Sequence, residues 1–246
     1  MRWASSMSRW KQRQSSDRFT REAKVQNLKS RAAFKLFSMD EKYRLFKRGQ
    51  TVIDLGYAPG SWSQVAYERT KPNGRVVGID IIPAQPPRGV STIQGNFLHP
   101  GVQQLVKDYL IEFSQRRSPP EPDPEDPEGS IITERPSYID AERAESVVLS
   151  DMSEPWPQIS GFSISTLTHA YFRMMNTSGM SFRDHAGSMD LCLAALQFAS
   201  DTLKAGGHFV CKFYQGSEDK DLELKLKKMF EQVHREKPEA SRSVCS

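Results

Sequence analysis

The chain has 246 residues, of which 37% are hydrophobic and 26% are charged. This mixture is too apolar for a wholly disordered chain and too polar for a membrane bundle, and no run approaches the roughly eighteen apolar residues of a membrane span. The length suits one large α/β domain. Because no signal-peptide core follows Met1 and the three cysteines (Cys192, Cys211 and Cys245) have no paired spacing, we expect a reducing compartment, no disulfide framework and no metal site.

Charge is distributed unevenly along the chain. The formal net charge is +4, but residues 1–48 carry fourteen lysines and arginines against four acidic residues, a local balance of +10. A polyanion such as a nucleic acid is the natural partner of this segment. Residues 116–145 reverse the sign with nine acids, four arginines and six prolines, a composition that cannot order itself around a core. We therefore predict a solvated insertion at about 115–137.

Helices and strands alternate along the rest of the chain. Apolar residues at helical spacing predict an amphipathic helix over 28–46, interrupted near Met39 and Asp40. The patterns that follow predict, in chain order, strand 51–55, helix 62–69, strands 75–80 and 91–94, helix 102–113, strand 146–151, helix 188–203, a turn at 204–207, strand 208–212 and helix 220–230. Repeated units of this kind predict an α/β fold with a mostly parallel sheet and helices on both faces.

Polar residues close four of the predicted strands: Asp54, Asp80, Asp151 and Lys212. In open parallel sheets, ligands bind outside the carboxyl ends of the strands. A strand end is also simply where solvent begins, so one such residue carries little information. Four of them together favour an enzyme.

A glycine-rich turn from Gly56 to Gly60 joins the first strand to the next helix. Glycines let the backbone approach a ligand, and the helix terminus offers free N–H groups, so a nucleotide-like cofactor is expected. The spacing G-x-A-P-G differs from the dinucleotide fingerprint, and Asp54, two residues before the first glycine, would repel a pyrophosphate. S-adenosylmethionine, which carries an ammonium, a sulfonium and no phosphate, suits this turn better than NAD. A nicotinamide-dependent oxidoreductase is the least favoured alternative.

Other predicted cofactor contacts follow from this assignment. Asp80, at the end of the second strand, is expected to accept the ribose hydroxyls. Asn96, after the third strand, is expected either to contact the adenine or to cap its own loop. The residues predicted around the turn and these strand ends are Asp54, Gly56, Ala58, Pro59, Gly60, Ser61, Trp62, Asp80 and Asn96.

Five separated motifs then occur in a recognisable order: Ser30–Leu36 (SRAAFKL), Asp54–Gln64 (DLGYAPGSWSQ), Leu149–Met152 (LSDM), Asp184-His185 and Gly207–Gly216 (GHFVCKFYQG). Together they resemble the FtsJ (RrmJ) family of rRNA ribose 2′-O-methyltransferases, over about residues 8–113 and 145–243. Segments 23–36 and 212–220 are similar to those of the fungal mitochondrial large-subunit rRNA uridine 2′-O-methyltransferases. The resemblance implies a Rossmann-like methyltransferase fold, S-adenosyl-L-methionine as cofactor, and methylation of a uridine ribose in mitochondrial large-subunit rRNA in support of ribosome assembly.

The resemblance also implies a catalytic Lys-Asp-Lys-Glu tetrad, to which Lys35, Asp151 and Lys212 correspond. The protein has to position and deprotonate a ribose hydroxyl that is a poor nucleophile at neutral pH. Lys212 is expected to have a lowered pKa and to accept that proton, Asp151 to orient the lysine and help place the cofactor, and Lys35 to hold the target phosphate or ribose. The family pattern continues to a glutamate and a last strand, so we expect both to be missing from a sequence that ends at Ser246. The main alternative is a catalytically impaired RNA-binding ribosome-assembly factor with the same fold.

The basic N-terminal segment is expected to contact rRNA in the large ribosomal subunit or its precursor. Arg9, Arg13, Lys29 and Arg31 are the residues predicted to bind RNA. The predicted organisation is a basic arm at 1–22 and a single methyltransferase domain at 23–246, with insertions at about 115–137 and 156–176. A monomer without a membrane span is expected, in the mitochondrion.

Overall fold

In the computed structural model, residues 17–115, 145–153 and 180–241 are described. Within these ranges five strands form one sheet: β1 Thr51–Leu55, β2 Arg75–Asp80, β3 Ser91–Gln94, β4 Glu145–Ser150 and β5 Leu203–Cys211. Their spatial order is β3-β2-β1-β4-β5, and each neighbouring pair is parallel. The prediction of an α/β fold with a mostly parallel sheet is confirmed. Both predicted insertions lie almost entirely outside the described residues.

In the part of the chain that the structure describes, six helices accompany the sheet: α1 Arg18–Val25, α2 Ala32–Tyr43, α3 Ser61–Thr70, α4 Pro100–Gln115, α5 Ser181–Thr202 and α6 Asp219–Met229. Helix α1 was not predicted; it begins at an N-cap where the Asp17 carboxylate accepts a hydrogen bond from the Phe19 N–H at 3.1 Å. None of the helices in the described ranges is long and apolar enough to span a membrane.

The predicted break in the helix at 28–46 is wrong. Helix α2 continues through Asp40 and ends where Arg44 adopts left-handed backbone with φ of 51°. The Asp40 carboxylate accepts the Phe46 N–H at 3.1 Å and lies 3.1 Å from the Arg69 guanidinium nitrogen. Because both oxygens have partners, this buried acid supports the end of the helix rather than interrupting it.

Two later boundaries also differ from the prediction. Helix α5 begins at Ser181, seven residues before the expected start. Strand β5 begins at Leu203 and includes the predicted turn at 204–207, because β4 and β5 pair across an irregularity between Glu145 and Val147. Hydrophobic periodicity located these elements but not their ends.

Alternate residues of the central strands face two helical layers. Ile53 and Val148 pack into a cluster with residues of α4 and α5 on one face of the sheet. Val52 and Leu149 pack into a second cluster with residues of α2 and α3 on the other face. This alternation is the period of two expected of a strand buried on both sides, and it explains why the strands read as continuous apolar runs.

The direction in which the chain steps across the sheet reverses between β1 and β4. Strands β1, β2 and β3 proceed toward one edge, whereas β4 and β5 proceed toward the other. Ligand crevices in open α/β sheets form at such a switch point, outside the carboxyl ends of the strands. Here Gly56 follows β1 and Met152 follows β4, and a Cβ added to Gly56 would lie 2.9 Å from the Met152 Cα. The two loops are therefore in direct contact.

Candidate active site

The glycine-rich turn after β1 has a backbone that side chains would obstruct. Gly56 has φ of +76° and donates its N–H to the Ile79 carbonyl at 2.8 Å. Gly60 has φ of +100°, and a Cβ there would lie 2.7 Å from the Pro87 ring. Both positions combine left-handed backbone with a close neighbour, so glycine is required for the turn to approach β2 and the loop that follows it.

Helix α3 begins immediately after this turn, and the segment before α2 packs against its first residues. Ser61 Oγ lies 2.6 Å from Ser30 Oγ, and the Trp62 indole N–H donates to the Ala32 carbonyl at 3.0 Å. The Trp62 ring is buried in the second core cluster. Because its ring is buried, Trp62 can offer a cofactor only its backbone N–H, which lies in the first turn of the helix.

Asp54 places a buried carboxyl group just before the glycine-rich turn. Its side chain is buried, and Oδ2 accepts a hydrogen bond from Ser63 Oγ at 2.5 Å. Its other oxygen, Oδ1, is buried with no hydrogen-bond partner among the described residues. Burial first, and then the negative charges of Asp151 and Asp80, raise the pKa of this carboxyl to about 7. The site therefore favours a cation or a hydrogen-bond donor beside Asp54.

Asp80, at the end of β2, connects the glycine-rich turn to the next loop. One of its carboxylate oxygens accepts from the Ala58 N–H at 3.0 Å and the other from the Ile82 N–H at 2.9 Å. Burial raises the pKa of this carboxyl above its ordinary value. A carboxylate has about four acceptor positions, so two backbone bonds leave capacity for ligand hydroxyls.

Asp151 and Lys212 meet at the carboxyl ends of the adjacent strands β4 and β5. Lys212 Nζ lies 2.9 Å from the Asp151 carboxylate, and it donates to the Asp151 carbonyl at 2.8 Å and to Ser153 Oγ at 2.7 Å. The side chains of Asp151 and Lys212 remain 24% and 22% exposed. These three contacts thus fix the ammonium in position.

The direction of the Lys212 pKa is opposite to the one expected from the sequence. Burial by itself lowers the pKa of the ammonium, but the charge of Asp151, the nearby Tyr214 and the hydrogen bond to Asp151 together raise it above 10.5. An ion pair favours the charged form of both partners. Lys212 is therefore an ammonium in the free protein, and the expectation of a lowered pKa in that state is wrong.

Lys35 lies on α2, which covers the sheet near this ion pair. The neighbouring Leu36 is buried in the same cluster as Leu149 and Val210, each two residues before Asp151 or Lys212. Lys35 itself is partly buried. The helix that carries Lys35 thus packs on the strands that carry the other two predicted catalytic residues.

Two other predicted contacts are engaged within the protein. Asn96 is exposed, and its Oδ1 accepts the Leu98 N–H at 3.0 Å, which is the loop-capping alternative. Arg31 forms an ion pair with Asp17 and donates to the Ala240 carbonyl at 2.6 Å. Its guanidinium also lies over the Phe19 ring.

Three other residues are predicted to bind RNA, namely Lys29, Arg9 and Arg13. Lys29 is partly buried, and its backbone N–H donates to the Gln64 side chain at 3.0 Å. Arg9 and Arg13 lie outside the described residues. Lys29 therefore sits beside the start of helix α3, close to the glycine-rich turn.

Sequence reasoning missed two residues of this region. Ser153 accepts a hydrogen bond from Lys212 Nζ, and the only signal for it is a hydroxyl two residues after a strand-ending acid. Ile81 follows Asp80 directly and is 48% exposed, which is unusual for an isoleucine next to a buried strand. The sequence shows that this isoleucine follows a strand-ending acid, but only the structure shows that its side chain is exposed.

The arrangement as a whole favours a ligand with positive charge and hydroxyl groups beside a fixed ammonium. Asp54 and Asp80 present carboxyl oxygens on adjacent strands, and in their ionised forms these carboxylates would repel a phosphate. Asp151 and Lys212 lie on the other side of the switch point. The geometry is suited to holding a cationic donor on one side and an oxygen nucleophile near Lys212 on the other.

Comparisons with known proteins agree with the motifs. The model of the FtsJ-like methyltransferase family matches residues 28–246. A Saccharomyces cerevisiae protein named rRNA methyltransferase 2, mitochondrial, is 43% identical, over 97% of this chain and 84% of its own length. A Zymomonas mobilis protein named ribosomal RNA large subunit methyltransferase E is 35% identical, over 97% of this chain and 84% of its own length.

A solved structure also resembles the fold. A crystal structure from Plasmodium falciparum, described as that of a ribosomal RNA methyltransferase, matches with a TM-score of 0.59 and 27% identity. The match covers 85% of this chain and 90% of the other. The resemblance expected from the motifs is confirmed: the chain belongs to the FtsJ-like methyltransferase family.

Proposed function

We propose that this protein transfers the methyl group of S-adenosyl-L-methionine to a ribose 2′-hydroxyl, that of a uridine, in mitochondrial large-subunit rRNA. The observation that carries the proposal is the Asp151–Lys212 pair, whose charged atoms are 2.9 Å apart beside the glycine-rich turn at the switch point of the sheet. The names of the similar proteins support rRNA as the substrate.

The residues at the switch point fit this cofactor. Among the described residues the buried Oδ1 of Asp54 has no hydrogen-bond partner, and it would accept from the α-ammonium of the cofactor's methionine part. Asp80 retains acceptor capacity for ribose hydroxyls. Ile81 and Leu98, each 48% exposed beyond the adjacent strands β2 and β3, offer apolar surface for a flat base. When bound, the sulfonium supplies an already activated methyl group.

The other predicted contacts complete the proposed cofactor set. Gly56, Ala58, Pro59 and Gly60 would bring the backbone close to the ligand, with Ser61 and Trp62 contributing N–H groups at the helix terminus. Asp151 would help to place the reacting end. Asn96 would contact the adenine through its Nδ2 amino group, because its Oδ1 accepts the Leu98 N–H.

Lys212 would bind the 2′-oxygen and take up its proton. In the free protein Lys212 is an ammonium, so it donates a hydrogen bond to the incoming oxygen and must lose a proton before it can act as a base. The positive charge of a bound sulfonium near Asp151 would weaken the hold of that carboxylate on the ammonium. Ser153 and the Asp151 carbonyl keep Nζ in place meanwhile. Lys35 would hold the target phosphate or ribose.

RNA would approach along the basic N-terminal segment. Arg18, Arg21 and Lys24 recur every third residue of α1 and are exposed. Lys29 lies beside the start of α3, where its backbone N–H donates to the Gln64 side chain. Arg31 would act mainly by holding α1 and the 240 region together, because Asp17 and Ala240 already engage its guanidinium. Arg9 and Arg13 would extend the basic surface.

The proposed organisation is a basic arm at 1–22 and one methyltransferase domain at 23–246, interrupted by insertions at about 115–137 and 156–176. The protein would act as a monomer on the large ribosomal subunit or its precursor and so support ribosome assembly. Mitochondrial location is proposed because the similar Saccharomyces cerevisiae protein is named mitochondrial.

Methyl transfer from tritiated S-adenosylmethionine to unmodified large-subunit rRNA tests this function. The wild type is expected to incorporate label, and Lys212→Ala is expected to abolish incorporation. Lys204→Ala is the matched control, because Lys204 lies on the same strand but is exposed at its opposite end. RNA binding without incorporation by the wild type would contradict the proposal and favour the assembly factor. Binding of NAD in place of S-adenosylmethionine in calorimetry would contradict the cofactor assignment.

A further inference from the structure

Three buried polar side chains line one face of α5 where it meets the loop after β5. His185, Ser188 and Cys192 are 3%, 3% and 1% exposed. Their spacing of three and then four residues puts them on the same side of the helix. We call these three residues the α5 polar stripe.

The α5 polar stripe holds the backbone of residues 212–218 at four points. Cys192 Sγ donates to the Lys212 carbonyl at 3.2 Å, and the Tyr214 N–H donates to Ser188 Oγ at 3.0 Å. His185 Nδ1 lies 2.7 Å from the Tyr214 carbonyl, and the Glu218 N–H donates to His185 Nε2 at 3.1 Å. These bonds begin where the pairing of β5 with β4 ends at Cys211 and Lys212.

The two bonds of His185 require one protonation state of the imidazole. A carbonyl oxygen only accepts, so Nδ1 must carry the hydrogen, and Nε2 must be free to accept the Glu218 N–H. The ring is therefore neutral. The loop passes directly over it, since a Cβ added to Gly216 would lie 2.3 Å from His185 Cγ.

We propose that the α5 polar stripe positions Lys212 for methyl transfer by fixing the backbone on its carboxyl side. Lys212 is the last residue held by the sheet, through its N–H to the Ser150 carbonyl at 2.8 Å. Beyond it, no strand among the described residues pairs with the main chain, and the α5 polar stripe supplies four contacts to it instead. His185, Ser188 and Cys192 are thus positioning residues, not catalytic ones. The inference rests on the proposed role of Lys212 in methyl transfer.

The test compares stripe variants with a buried polar control on the same helix. Ser188→Ala and His185→Ala remove contacts to the loop. Thr202→Val is the control, because Thr202 is also buried on α5 but donates only to the Phe198 carbonyl of its own helix, at 2.8 Å. Two quantities are measured in each: amide hydrogen exchange of the peptide covering 213–218, and kcat with the KM values for S-adenosylmethionine and RNA.

Both stripe variants are expected to exchange faster in 213–218 and to lose about 10- to 100-fold in kcat, as displacements near 1 Å do, with the KM for S-adenosylmethionine unchanged. His185→Asn keeps an N–H near the Nδ1 position and is expected to recover part of the loss. Gly216→Ala, which leaves α5 intact, is expected to reproduce it.

Normal exchange in 213–218 for Ser188→Ala and His185→Ala, or kcat values equal to that of Thr202→Val, would overturn the inference. Failure of the proposed function gives a different pattern, namely no methyl transfer by the wild type or full activity in Lys212→Ala. Hydrogen exchange decides whether the stripe holds the loop in either case.

Discussion

Asp54→Asn should remove a large pH dependence from the stability of this protein. Burial raises the pKa of the Asp54 carboxyl from 3.8 to about 7 in the folded state. Between these values the folded protein keeps a proton that the unfolded chain has released, so the free energy of unfolding falls as pH rises. At about 1.4 kcal/mol per pKa unit, the loss across the whole interval is about 4 kcal/mol.

Asparagine is the appropriate replacement because it is neutral, has the shape of aspartate and can still accept the hydrogen bond from Ser63. Urea unfolding of both proteins at pH 5, 6, 7 and 8 gives the comparison. Relative to the variant, the wild type is expected to lose about 1.4 kcal/mol per pH unit up to pH 7 and nothing more above it. The variant is also expected to bind S-adenosylmethionine more weakly, since an amide nitrogen would face a cation.

A matched control separates this effect from general changes of charge. Asp201→Asn removes an exposed carboxylate on α5 that pairs with Lys107 at 2.8 Å. Urea unfolding of this variant over the same pH range shows what the loss of a surface carboxylate does by itself. A difference between the wild type and Asp54→Asn that does not change with pH would show that the buried carboxyl titrates normally, and the electrostatic account of the cofactor site would then be wrong.

Three further predictions concern the turn, the base and the RNA surface. In urea unfolding, Gly56→Ala is expected to be less stable than Gly49→Ala by about 1–3 kcal/mol. Both glycines have positive φ, but only a Cβ at position 56 would meet Met152. Equal losses of stability would refute the close approach of the loops after β1 and β4. If Lys212 is the base, kcat/KM for RNA at saturating cofactor is expected to rise with pH from 7 to 9. The reason is that the pKa of Lys212 is raised, so the neutral amine that accepts the proton is the minor form. A kcat/KM that does not change with pH would refute the role of Lys212 as base. Replacing three exposed basic residues of α1 by alanine is expected to weaken RNA binding and to lower the salt dependence of the binding constant by about 0.7–0.9 in slope per lost phosphate contact. Replacing three exposed lysines of α6 by alanine is expected to leave the affinity and the slope unchanged. Equal effects of the two replacements would refute the assignment of the RNA-binding surface to α1. The α1 residues are Arg18, Arg21 and Lys24, and the α6 control residues are Lys220, Lys225 and Lys228.

The sheet and the residues at its carboxyl edge were predictable because buried parallel strands have a simple pattern. Each short apolar run predicts a strand, and the polar residue that closes the run marks the place where the strand leaves the core. The closing residues are Asp54, Asp80, Asp151 and Lys212. The expectation that Asp151 orients Lys212 came from the family resemblance, and the two residues follow the parallel neighbours β4 and β5. The order of the strands in the sheet was not predicted and comes from the structure alone.

Properties that depend on three-dimensional neighbours were not predictable. The raised pKa of Lys212 arises from the distance to Asp151, which sequence separation does not reveal. The partners of Arg31 are 14 and 209 residues away, so its basic side chain looked like a phosphate contact. The bonds of His185 to a loop about thirty residues later were hidden for the same reason.

The position of the transferred methyl group tests the central claim most directly. After reaction of the wild type with unmodified rRNA and S-adenosylmethionine, nuclease digestion and mass spectrometry identify the modified nucleoside. A single methyl on a uridine ribose, absent with Lys212→Ala and present with Lys204→Ala, is the predicted result. A methyl on a nucleobase, or label retained in Lys212→Ala, would contradict the account.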